Sequence, residues 1–255
     1  MNYTFLFFGI SFGLIFGSFL NALIYRIPKG IGIFLPRSFC PKCEKTIPWY
    51  ENIPVLSYIV LRGSCSNCKT PIPRQYPIIE AITGYVSFLL WPESMEVDKV
   101  LNFTFYFSVY CIFITHFLID LRHKILPNVL NLYLGIIFLT FSILFKNWQF
   151  WLYGSLVGAL FPLGVTWLFY LAKKKEGLGM GDIKLFGILG LHLGPMGIIQ
   201  NIFFSCLGGS IIGFFLIIIK KLKRESEMPF GPFIILVASI QIFFPKFFES
   251  FLKIF

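Results

Sequence analysis

The chain has 255 residues, of which 56% are hydrophobic and 19% aromatic, and its charged fraction is only 13%. Soluble domains carry roughly 25% charged residues, so a soluble globular protein is excluded. The net charge of +10 does not mark a nucleic-acid binder, because Lys and Arg sit in short clusters between long apolar runs, as they do in loops beside membrane helices.

A membrane helix needs about 20 apolar residues, fewer when it lies inside a bundle. Eight segments meet that length approximately: 3–25, 77–92, 100–120, 127–145, 150–171, 181–193, 197–221 and 230–253. The first is read as a helix rather than a cleaved signal, since it lacks a basic leading region and a small-residue cleavage site. The sixth is short and is parted from the seventh by "LGPMG". Pro127 and Pro195 stand at first-turn positions, where a missing N–H costs least. The expected fold is therefore an all-α polytopic membrane protein with about eight transmembrane helices.

Basic residues orient such a chain. With both termini outside, the segments 26–76, 121–126, 172–180 and 220–229, with the start of helix six, hold 18 of the 22 Lys and Arg, leaving only Lys99, Lys146, Lys246 and Lys253 on the far side. A seven-helix count would strand the "KKLKR" cluster on the wrong face. The expected division is a first helix at 1–25, a small cytoplasmic domain at 26–76 and a seven-helix membrane domain at 77–255.

Segment 26–76 contains Cys40, Cys43, Cys65 and Cys68, two CxxC pairs separated by 21 residues. That spacing matches a four-cysteine zinc ribbon, each pair giving two thiolates to one tetrahedral ion. On the reducing side of the membrane disulfides are disfavoured, and four thiolates leave no open position for water, so the zinc is expected to be structural. Cys111 and Cys206 stand alone in apolar helices and read as core residues.

The chain has three Asp, and Asp98 falls in the outer loop "PESMEVDK". Asp120 ends helix three as it reaches the inner face and Asp182 begins helix six as it leaves it, so topology puts both on one side at similar depth. Two carboxylates close enough to share a proton make an aspartic-protease pair, one activating water and the other polarising the scissile carbonyl. Acids at such positions are costly, roughly 2.5–3.5 kcal/mol on insertion scales, and are functional by default. The bland alternative makes each an interfacial cap, Asp120 paired with Arg122 or Lys124 and Asp182 at a helix N-terminus. Against it stands "GLGMGDIKLF" (177–186), where Gly179 and Gly181 precede Asp182 and leave room for a peptide backbone.

Gly179, Gly181 and Asp182 form GxGD, which resembles the GxGD aspartyl proteases. "IDLRHKILPN" (119–128) resembles the second catalytic motif of the type IV prepilin peptidases. The likeness continues through "GSFLNALIYRIP" (17–28), "CPKCEKTIPWYENIPVLSYIVLRGSCSNC" (40–68), "YPIIEAITG" (76–84) and "PFGPF" (229–233). The resemblance implies that Asp120 and Asp182 are the catalytic pair, that the substrates are type IV prepilins or pseudopilins cut at the cytoplasmic face of a bacterial inner membrane, and that S-adenosylmethionine serves a second activity, N-methylation. No Gly-rich dinucleotide-binding fingerprint supports the methyltransferase from residues. Asn128 stands where the family has the Asp of LPD; it is expected to cap or end a turn, as Asn does well. Glu80, expected in the first turn of helix two, and Lys184 are secondary candidates, and Glu51, Asn52, Asn21 and Arg26 are motif residues without a derived role. A proton- or cation-coupled transporter would spread acids along the depth of a pathway, and a degenerate homologue would have lost acids or cysteines that are intact here.

Overall fold

The structure is a computed structural model that describes residues 3–175, 177–220 and 228–252. Its helices are α1 (Tyr3–Arg26), α2 (Leu56–Val60), α3 (Gln75–Leu90), α4 (Val97–His123), α5 (Asn128–Phe145), α6 (Trp148–Lys173), α7 (Met180–Ile218), α8 (Gly231–Phe243) and α9 (Pro245–Leu252). Among the described residues there is no β-strand beyond two isolated bridges, and five helices are long and apolar enough to cross a membrane. Lys221, Lys223, Arg224 and Lys253, used above for orientation, lie outside the described residues. The chain packs as two compact units, Met1–Cys111 and Ile112–Phe255, the division falling within α4.

In the first unit α1 and α3 form an antiparallel hairpin. Without a hydrophobic driving force inside lipid, helices gain by close approach at small residues. A Cβ on Gly13 would lie 2.5 Å from the Thr83 carbonyl oxygen, and one on Gly17 would lie 2.6 Å from Glu80 Cα. Ser87 Oγ donates to Gly9 O at 2.8 Å and Asn21 Nδ2 to Tyr76 O at 3.0 Å, so the register runs from the Gly9–Ser87 level to Asn21–Tyr76. Segment 27–74 therefore leaves and re-enters the hairpin at one end.

The second unit gathers α5, α6, α7 and α8 with the C-terminal part of α4. Although α7 is written as one run of 39 residues, Gly194 has φ 72° and ψ −179°, a left-handed conformation suited to glycine. Pro195 follows in the first turn of the second limb. A Cβ on Gly158 of α6 would lie 2.4 Å from Phe186 O and 3.0 Å from Ile198 Cγ1. Twelve residues of straight helix would span about 18 Å, so one glycine can touch both only because the limbs 180–193 and 195–218 fold back as a hairpin. The expected sixth and seventh helices are these limbs.

The reversal frees carbonyls at the end of the first limb, and α5 satisfies them. Ser142 Oγ donates to Leu191 O at 2.8 Å and Lys146 Nζ donates to His192 O. Cations favour helix C-termini, so Lys146 suits this end. The limbs pack on α6 and α8 respectively: Gly154 and Gly190 meet backbone to backbone, and Asn201 Nδ2 donates to Gln241 Oε1 at 2.8 Å while Gln241 Nε2 reaches Gly197 O at 2.9 Å.

The expected eighth helix, 230–253, is a correction. Pro245 disfavours helical geometry in the residue before it, Phe244 takes φ −131° and ψ 55°, and the segment splits into α8 and α9. α8, with 13 residues, spans about 20 Å, short of the roughly 30 Å of a bilayer core.

Candidate active site and cysteine cluster

The first turn of α7 carries the GxGD segment. Gly179 is the N-cap, with extended backbone, and its carbonyl accepts the Asp182 N–H at 3.0 Å. Asp182 is the third helical residue, and its carboxyl turns back to the Gly179 backbone N–H, as in a capping box. A Cβ on Gly179 would lie 3.1 Å from Asp182 Oδ2. Glycine here lets the carboxyl occupy that space.

Asp120 is buried at the C-terminal end of α4, 4% exposed, and its Oδ2 has no hydrogen-bond partner among the described residues. It faces the backbone N–H of Gly231, the first residue of α8, where an added Cβ would stand 2.7 Å from Oδ2. Asp182 lies within electrostatic range of Asp120. The chain thus brings together two acids 62 positions apart, at the end of one helix and the start of another. Leu126 packs against the glycine beside each acid: a Cβ on Gly181 would lie 3.2 Å from Leu126 Cβ, and one on Gly231 would lie 3.1 Å from Leu126 Cδ2.

Lys184 is exposed, and its Nζ donates to Asn128 Oδ1 at 3.0 Å. The N-cap of α5 is Pro127, so the capping role expected of Asn128 is corrected: Asn128 is the first helical residue after the turn, and its amide oxygen links α5 to α7. An amide can accept this bond as a carboxylate would, without the charge.

Gly231, Leu126, His116 and Asn131 were not singled out as site residues. The only sequence signal for Gly231 was "PFGPF". His116 is fully buried one turn before Asp120 on α4, facing Asn131 of α5. A lone His or Asn in an apolar helix carries no spacing pattern that marks it.

The effect of Gly231 is testable. Gly231→Ala places a methyl where the Asp120 carboxyl sits while improving helix propensity. Displacement by about an ångström costs up to roughly a hundredfold in rate, so the expected result is a fall of about tenfold or more with thermal stability kept. Peptide-cleavage rate and melting temperature, measured on the same sample, check it.

In the first unit the cysteines form two matched knuckles. Glu44 N–H donates to Cys40 O at 2.9 Å and Lys69 N–H to Cys65 O at 3.1 Å. Glu44 and Lys69, each directly after the second Cys of a pair, take φ 56° and 57°. The bridges Phe39↔Thr46 and Ser64↔Pro71 close the two turns. All four Sγ atoms lie within 4.8 Å of one another, so the cluster can hold a metal ion. The Thr70 hydroxyl, 3.3 Å from Cys68 Sγ, and then the Thr70 backbone N–H hold that thiol down at about 6, which favours the ligating thiolate at neutral pH.

Glu51 accepts from Ser66 Oγ at 2.7 Å and so ties the second knuckle to the turn Trp49–Asn52. Arg26 Nη1 donates to Gly32 O and Ile33 O, at 3.2 and 2.7 Å, holding the first loop after α1. Glu80 lies in the second turn of α3, not the first as expected, because the helix begins at Gln75. Its carboxylate accepts the Val55 N–H at 2.7 Å instead of serving a helix dipole.

A polytopic helical membrane protein with a paired-carboxylate site beside a GxGD turn is the class defined by this fold and geometry. The chain belongs to the type IV leader peptidase family: residues 105–214 match that family and residues 11–93 match the bacterial peptidase A24 N-terminal domain. It is 33% identical over 251 residues to a prepilin leader peptidase/N-methyltransferase of Stutzerimonas stutzeri, covering 87% of this chain and 84% of that protein. The protein of the same name from Pseudomonas aeruginosa is 32% identical over 262 residues, covering 91% and 88%. A type 4 prepilin-like proteins leader peptide-processing enzyme of Escherichia coli O78:H11 is 33% identical over 244 residues, covering 86% and 87%. No solved structure matches the chain.

Proposed function

We propose that the chain is an intramembrane aspartic endopeptidase that removes the leader peptide of type IV prepilins or pseudopilins, with Asp120 and Asp182 as the catalytic pair. The observation that carries this reading is the convergence of the two acids at one end of the second unit, beside backbone thinned by Gly179, Gly181 and Gly231. One carboxylate takes a proton from water while the other, protonated, donates to the scissile carbonyl oxygen. The tetrahedral intermediate then collapses as a proton passes to the leaving amine. A precursor with a basic leader before an apolar helix suits this placement, since its helix can lie in the bilayer while the leader stays outside it. Both acids sit at one end of the bundle, whereas a transport pathway would distribute them along its depth.

Segment 26–76 acts as a zinc-bearing cytoplasmic domain between the first helix and the helices of 77–255. The Cys40–Cys68 sulfur separation of 3.8 Å suits a tetrahedral zinc–thiolate centre, whose bonds of about 2.3 Å set sulfurs about 3.8 Å apart. Four thiolates would hold the ion and leave chemistry to the aspartates. The location is a bacterial inner membrane, with the N-terminus outside and the acids at the cytoplasmic face. A second activity, N-methylation of the new N-terminal residue from S-adenosylmethionine, follows the name of the Stutzerimonas stutzeri and Pseudomonas aeruginosa relatives.

Co-expression with a prepilin tests both activities at once. The expected product has lost its leader and gained the mass of one methyl group, read by intact-mass spectrometry. An uncut precursor beside folded, zinc-loaded enzyme overturns the reading; a cut but unmethylated product removes only the second activity.

A further inference from the structure

The segment between the two knuckles exposes apolar side chains that the cysteine cluster does not use. Trp49 is 74% exposed, Leu56 60%, Ile59 64% and Val60 79%, and Tyr50 is exposed beside Trp49. In a segment bathed only by water such a patch would be a liability. Its position along the hairpin explains it. Val55, immediately before α2, takes φ +62°, a conformation that β-branched residues rarely adopt, and its N–H is held by the Glu80 carboxylate. Glu80 is buried in the second turn of α3 and cannot follow a loop outward.

This clamp fixes the depth of α2. The exposed apolar stripe of α3 runs Ile78, Ile82, Tyr85 and Leu89, at helical spacing, so its lipid-facing side begins before Glu80. A segment held at the level of Glu80 therefore lies at the edge of the apolar layer. Around it the charge is one-sided. Residues 27–74 hold seven Lys or Arg against Glu44 and Glu51. Arg37, Lys42 and Lys45 precede this segment in the chain and Arg62, Lys69 and Arg74 follow it, and among the described residues none of them forms an ion pair with a carboxylate. Trp and Tyr favour the headgroup level, and clustered cations attract anionic lipid by about 1 kcal/mol each near the surface.

We infer that residues 49–60 form an interfacial anchor that seats the cysteine domain on an anionic lipid surface, with Glu80 as the clamp that sets its depth. The basic excess of segment 27–74 disfavours the other candidate occupant, a precursor with a basic leader, because like charges would repel. Lipid headgroups supply the complementary sign.

The test uses full-length, zinc-loaded protein in nanodiscs of phosphatidylcholine alone or mixed with phosphatidylglycerol. The Trp49 emission is taken as the difference between wild type and Trp49→Phe, with Trp91, Trp148, Trp151 and Trp167 unchanged. Lipids brominated near the headgroup end of the acyl chain are expected to quench that component by about half or more, and more strongly in the anionic discs, as for a helix seated in the interface. Ile59→Gln with Val60→Gln is expected to abolish the quenching while zinc content is retained. A Trp49 component that brominated lipid leaves unchanged in both discs overturns the proposal. So does one shielded from iodide only after a prepilin is added, which would make the patch a protein-docking surface. Equal quenching in the two discs would overturn the anionic preference. The wild-type measurement decides even if the double variant fails to fold.

Discussion

Asp120→Asn and Asp182→Asn are each expected to reduce leader cleavage by about 10²–10⁴, the usual worth of a positioned acid or base. An amide cannot accept the proton from water and cannot exchange roles with its partner. Asp→Glu at either position is expected to cost about a hundredfold, since the added methylene shifts the carboxyl by about an ångström. The structure leaves little room for that shift: Asp120 is wedged against Gly231, and Asp182 is folded back on Gly179. Asp98→Asn is the matched control. Asp98 is exposed in the first turn of α4, 22 residues before Asp120, and its loss should leave the rate unchanged. Rates measured on purified, folded variants with a prepilin substrate decide the matter. Processing by either Asn variant at near wild-type rate would return both acids to the role of structural caps.

Replacing any one of Cys40, Cys43, Cys65 and Cys68 by Ser is expected to abolish binding of one zinc per chain and to unfold the segment around it. The magnitude is large because a structural zinc site contributes about 10–16 kcal/mol that is also folding energy. Little else holds these knuckles. Their backbone closes through two isolated bridges and a few turn hydrogen bonds, and of the four cysteines only Cys40 is buried. Elemental analysis of fresh, reduced protein and limited proteolysis between Lys29 and Arg74 measure the two effects. Wild-type protein without zinc, or a Cys→Ser variant with intact protease resistance, would sink the assignment. Cleavage itself is expected to survive more readily than domain integrity, since the ion takes no part in the aspartate chemistry.

Much of this organisation was legible in the chain alone. Hydropathy is a local average, so the eight apolar segments reappear in α1 and α3 to α9, with α7 supplying two and the eighth divided between α8 and α9. The CxxC spacing acts within a few residues, and each pair folds into the same knuckle. The acids stood out because an apolar chain has few of them, and basic-residue asymmetry assigned both to one face.

What only the tertiary structure decided involves partners far away in sequence. The reversal at Gly194 needs Ser142 and Lys146, about 50 residues earlier, to satisfy the carbonyls it frees in an apolar surround. Gly231 borders Asp120 although 111 positions separate them, because α8 starts where α4 ends. Asn128 serves Lys184 rather than its own helix, and Glu80 holds Val55 rather than a helix dipole. The buried Glu80 and the strained Val55 take the nearest partner in space, while the exposed Asn128–Lys184 pair meets because α5 packs on α7. Local propensity names the elements, and closure of the bundle chooses those partners.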